Sequence, residues 1–113
     1  MFFCTFTILK LSTMERLTPA EEQVMLKLWK INKGTVKDIL LLYNDPKPAY
    51  NTTSTIVRIL ERKKFIKHSS KGKGFIYSAK ISREKYRDFL LENLITNYFD
   101  NNLSALKEKI SGM

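Results

Sequence analysis

Hydrophobic and polar positions change period twice along this chain. From Leu17 onward, Val24, Met25, Leu28 and Trp29 recur at helical spacing behind the segment Leu17-Thr18-Pro19-Ala20-Glu21. Thr18 is placed to cap, Pro19 takes the first helical position, and Glu21 completes a capping box. This helix is expected to end near Asn32 to Gly34. A shorter helix is predicted from about Thr35, with Val36, Ile39, Leu40 and Tyr43 facing inward. Asn44-Asp45-Pro46-Lys47-Pro48 breaks it, because two prolines cannot continue the hydrogen-bond ladder. A third helix is predicted within Ala49 to Lys64, AYNTTSTIVRILERKK. At about 100° per residue, Thr53, Ile56, Val57 and Leu60 share its apolar stripe.

After Lys64 the period shortens to two. Phe65-Ile66-Lys67-His68 and Gly74-Phe75-Ile76-Tyr77-Ser78 read as short strands joined by the loop Ser69-Ser70-Lys71-Gly72-Lys73, which together make a hairpin. Ser82 to Tyr98 returns to helical spacing, with Ser82 as candidate cap and Tyr86, Phe89, Leu90, Leu94 and Tyr98 on one face. Asp100-Asn101-Asn102 interrupts it, and Leu103, Leu106 and Ile110 suit a short last helix. At the front, Phe2, Cys4, Phe6 and Ile8 alternate with Thr5 and Thr7 as in a short strand. That segment has no positive start and Lys10 interrupts its apolar run, unlike a secretory signal. Residues 1–13 are therefore read as an N-terminal extension, with Met14 a second candidate start.

Three helices followed by a hairpin make a winged helix-turn-helix. The expected fold is mainly α with a small β-hairpin: a winged-helix DNA-binding domain over residues 14–80 and a C-terminal dimerisation arm over 81–113. At 113 residues the chain is long enough for one modest core.

Charge sharpens this reading more than composition does. The net charge is +9, and residues 51–80 hold eight basic side chains against Glu61 alone, whereas residues 81–113 hold five of each sign. Such confinement points to a polyanionic partner. On the third predicted helix the side away from the apolar stripe carries Asn51, Thr55, Arg58 and Arg62, flanked by Thr52 and Ser54, with no acid among them. Short hydrogen-bonding groups can approach base edges in the major groove of double-stranded DNA, and guanidinium groups can meet guanine or phosphate. The same pattern in isolation also describes an ordinary amphipathic surface helix. Lys71 and Lys73 at the hairpin tip would reach backbone phosphate, as a wing does, or simply keep the tip soluble. The neutral, aromatic-rich face of Tyr86, Phe89, Leu90, Leu94 and Tyr98 suits either a homodimer interface or packing on its own domain.

Other chemistries find little to work with. One cysteine, Cys4, excludes an internal disulfide, a Cys-based zinc site and a Cys-x-x-Cys motif, and His68 is the single histidine. No cofactor or metal is called for. Glu21 and Glu22 belong to a helix start, and no second polar cluster joins them, so an enzyme is not expected. No apolar run approaches the roughly 18 residues of a membrane-spanning helix. A reducing cytoplasm is the expected compartment.

The segments LTPAEEQVMLKLW, KPAYNTTSTIVRILERKKFI, the basic hairpin and ISREKYRDFLLENLITNYFD resemble the penicillinase (beta-lactamase) repressor family, which includes the methicillin-resistance repressor and copper-responsive repressors of bacteria. The resemblance runs from about Met14 to Leu106. It implies a repressor acting as a homodimer on palindromic operators, with Asn51, Thr52, Ser54, Thr55 and Arg58 toward DNA and Lys71 and Lys73 in the wing. The chain departs from the family in four places. Relatives usually carry a further C-terminal helix, so the arm is expected to be shortened and the dimer weakened. The Asn-Phe bond cut in antibiotic-resistance members has no match, the region reading Leu106-Lys107-Glu108-Lys109, which leaves a sensor-linked protease open. The C-terminal cysteine pair of copper-responsive members is absent. Lys64 stands where the family usually has Gly, so it must adopt a positive φ or shift the turn. The alternative function is a protein-interaction module, or a truncated regulator subunit without operator binding of its own.

Overall fold

The computed structural model describes residues 14–72 and 74–113. The strand expected near the N-terminus and the wing residue Lys73 lie outside the described residues. Residues Glu15–Arg83 form one compact unit, and Glu84–Met113 belong to a second.

In the first unit, helix α1 spans Pro19–Ile31 and begins as its sequence dictates. The Glu21 amide donates to Thr18 Oγ1 at 3.2 Å, and the Thr18 amide donates to Glu21 Oε1 at 2.9 Å, so two otherwise orphaned donors are satisfied reciprocally. Val24, Met25 and Leu28 are fully buried. Trp29 is half-buried and its Nε1 donates to the Ile81 carbonyl at 2.9 Å. The helix stops at Asn32, which turns left-handed at φ 71°. Strand β1, Lys33–Gly34, and helix α2, Val36–Leu40, follow, the helix opening on a second capping box between Thr35 and Asp38. Gly34 is needed there: a Cβ would stand 2.9 Å from Ile31 Cδ1 and 3.0 Å from Asp38.

Helix α3 spans Tyr50–Arg62, and Thr53, Val57 and Leu60 are its fully buried residues, with Ile56 half-buried beside them. It ends in a Schellman motif. The Lys64 amide donates to the Glu61 carbonyl at 3.0 Å and the Phe65 amide to the Leu60 carbonyl at 2.9 Å, while Lys64 itself sits at φ 70°. Lys64 therefore takes the positive φ without shifting the turn.

Strands β2, Ile66–Lys71, and β3, Gly74–Ala79, form the wing, and β1 adds to the far edge of β3 to give a three-stranded antiparallel sheet in the order β1-β3-β2. This corrects the hairpin expectation in two respects. The third strand, pairing Lys33 with Ser78 and Gly34 with Tyr77, was not foreseen. The five-residue loop is shorter than expected, since Ser69, Ser70 and Lys71 pair with Ile76, Phe75 and Gly74. Gly72, just past Lys71, sits at φ 67°, in the left-handed region that glycine adopts without steric cost.

In the second unit, helix α4 spans Arg83–Tyr98 and helix α5 spans Leu103–Ser111. Between them Asp100 and Asn101 adopt positive φ, and Asn102 Oδ1 accepts from the Ala105 amide at 3.2 Å to cap α5. Tyr86 and Phe89 are buried with their rings stacked at 5.7 Å. Among the described residues no helix is long and apolar enough to cross a membrane.

Candidate nucleic-acid interface

Packing sorts the two sides of α3. Burial of Thr53, Val57 and Leu60 turns Asn51, Thr55, Arg58 and Arg62 outward, and all four are exposed. The Thr55 hydroxyl donates to the Asn51 carbonyl at 2.9 Å, which leaves its lone pairs free to accept. Ser54 is half-buried on the flank facing the wing. Thr52 is exposed on the other flank, beside a shallow groove with Tyr43, Pro48 and Ile56. The residues predicted for DNA contact on this helix thus divide into a central row and two flanks. Lys71 ends strand β2, and Lys73 lies outside the described residues.

The acids near this helix are engaged elsewhere. Glu61 meets His68 Nδ1 of β2, tying the helix to the wing. His68 also sets its ring edge against Phe75 at 4.7 Å between centroids. At the helix end, Lys63 Nζ lies 3.0 Å and 3.1 Å from the two carboxylate oxygens of buried Glu21. Burial pushes the Glu21 carboxyl up, but the Thr18 amide and the Lys63 ammonium outweigh it and hold the group below its ordinary value. These two ties fix α3 between α1 and the wing, and the exposed row is left without a carboxylate.

Beside that row the structure opens a cleft that periodicity did not reveal. Its walls include Thr35 and Lys37 from the start of α2, Tyr50, Ser54 and Arg58 from α3, and Phe75 from β3. Tyr50 and Phe75 are each half exposed. Tyr77 closes the cleft, its hydroxyl pushed up by burial and by Glu61, with Arg58 opposing. Of these, Lys37, Tyr50 and Phe75 were missed in the sequence. The only local signal was that Tyr50 precedes Ser54 and Arg58 by one and two helical turns.

On α4 the expected face divides. Tyr86 and Phe89 are already buried within the single chain, Leu90 is half-buried, and Leu94 and Tyr98 are exposed. Leu91, at 44% exposure, joins Leu94 and Tyr98 at spacings of three and seven. The helix therefore has a covered apolar side and a second, uncovered one.

A model of the penicillinase repressor family matches residues 17–111. The chain belongs to the penicillinase repressor family. It is a DNA-binding transcriptional repressor of winged-helix fold. Among solved structures it is similar to the monomeric form of Bacillus licheniformis BlaI in complex with the blaP half-operator. The two are 22% identical, with a TM-score of 0.54 over 65% of this chain and 90% of that one. That likeness is one of fold. No curated protein matches the chain.

Proposed function

We propose that this repressor acts as a homodimer on a palindromic operator, each subunit laying α3 in the major groove and its wing against the flanking backbone. It works by occupying DNA in the bacterial cytoplasm, without catalysis of its own. Asn51 and Thr55, at the centre of the exposed row, are assigned to base edges, and Arg62 and the wing lysines Lys71 and Lys73 to phosphate.

The observation that supports pairing is the uncovered face of α4: Leu91, Leu94 and Tyr98, with Tyr98 at 72% exposure. Burying one such side chain is worth about 1.5–3 kcal/mol, so a few from each subunit can offset the entropy of association. Two-fold pairing would also set two α3 helices about one turn of DNA, or a multiple of it, apart. Leu94→Asp places a charge on that face without touching α3. It is expected to shift sedimentation toward monomer at micromolar concentration and to weaken operator binding in parallel. A wild-type chain that sediments as a monomer at tens of micromolar, yet binds a palindrome tightly, would remove the dimer.

A further inference from the structure

We propose that the cleft between the start of α2, helix α3 and strand β3 seats one sugar-phosphate unit of the operator backbone, with Lys37 and Tyr50 as its positioning residues. This rests on the reading that α3 enters the major groove. With α3 in the groove and the wing against the flanking backbone, the strand between them would run along the cleft that α3 and β3 line.

The lining suits that unit and little else on DNA. Lys37 and Arg58 bring two cations from two different elements, and among the described residues no carboxylate lines the cleft. The nearby acids are committed: Asp38 accepts from the Thr35 amide at 3.0 Å, and Glu61 meets His68. Tyr50, Ser54 and Arg58 follow one another at one-turn intervals, so a hydroxyl, a hydroxyl and a guanidinium form a line of donors along one edge. A charged oxygen accepting from such donors makes stronger hydrogen bonds than a neutral base edge does. Phe75, half exposed on the opposite wall, offers an apolar surface to a deoxyribose ring. Because three elements meet here, an occupied cleft would set the depth and angle of α3 in the groove. Arg58 is then a backbone contact rather than a base reader.

The test uses the duplex that the full-length protein selects from a random pool, with single phosphates replaced in turn by uncharged methylphosphonates. Several phosphates in each half-site are expected to be sensitive, and one of them, the phosphate seated in the cleft, should weaken wild-type binding about tenfold when neutralised. Lys37→Gln and Tyr50→Phe, both at exposed positions, should bind the unmodified duplex more weakly while leaving base preference unchanged. Both should also lose that one sensitivity. Lys37→Gln should make the salt slope shallower by about one for each subunit bound. If both variants keep the full wild-type pattern of sensitive phosphates, the seat is overturned. It is also overturned if Lys37→Gln alters base preference and leaves the slope unchanged, which would place a base in the cleft. A protein that selects no duplex removes the DNA reading itself, an outcome distinct from selection without a Lys37-dependent phosphate.

Discussion

Replacing Glu21 by Gln tests how the recognition helix is anchored. Glu21 is 5% exposed and accepts three hydrogen bonds, from the Thr18 amide at 2.9 Å and from Lys63 Nζ at 3.0 and 3.1 Å. It joins the first turn of α1 to Lys63, the residue that caps the end of α3. Gln keeps the shape but loses the charge, and it leaves Lys63 facing a neutral amide. Bonds to charged groups contribute about 1.5–3 kcal/mol each way of counting. The Lys63 side chain is 25% exposed, and Glu15 lies 3.7 Å away, so its ammonium is partly compensated by water and a second acid. The expected loss is therefore about 1–2 kcal/mol. For a domain between the sizes usually surveyed, that is roughly 3–10 °C in Tm. The pH dependence fixes the cause. The folded carboxyl sits below its ordinary value, so its contribution is present above the unfolded pKa of about 4.3 and lost as pH falls through the lower folded value. Thermal unfolding at neutral pH should show the full gap between wild type and variant, and the gap should close in acid. A gap that persists undiminished at low pH, or none at neutral pH, would refute the assignment.

Three further substitutions probe the same framework. Thr53→Val should raise stability by about 1–2 kcal/mol, read as a higher urea midpoint, because Thr53 is fully buried and its hydroxyl has no partner among the described residues; a lower midpoint would mean the hydroxyl is satisfied. Lys64→Gly should add about 0.5–1 kcal/mol, since a side chain is held there at φ 70°; an unchanged or lower midpoint would count against that strain. Asn51→Ala should cost about 1–3 kcal/mol on the selected site and relax preference at one base pair without changing the salt slope. Retained discrimination at every position would mean that Asn51 is not a reader.

What could be read from the chain was what neighbouring residues decide among themselves. The start of α1 follows from Thr18, Pro19 and Glu21, all within one turn, and the exposed row of α3 follows from the spacing of Thr53, Val57 and Leu60. The positive φ of Lys64 is a local demand of a helix that stops abruptly before a strand. Strand β1 was not legible, because two residues have no period and Gly34 becomes a strand residue only by pairing with distant Tyr77. The hairpin turn came out too long for the same reason: Ser69 and Ser70 look like loop residues, and cross-strand pairing overrides them. On α4, periodicity found an apolar helix but merged its two sides, since Tyr86 and Phe89 are covered in the single chain while Leu94 and Tyr98 are not. The cleft draws Lys37, Tyr50 and Phe75 from three separate elements, so only their meeting in space reveals it.

DNA binding through α3 and the wing is tested most directly by equilibrium affinity for the selected duplex across a salt series. Each phosphate neutralised by Lys or Arg contributes about −0.9 to the slope of log affinity against log salt. A dimer making roughly six to ten such contacts should show a slope near −5 to −9. Selection of no duplex, or a slope shallower than about −2, would contradict it.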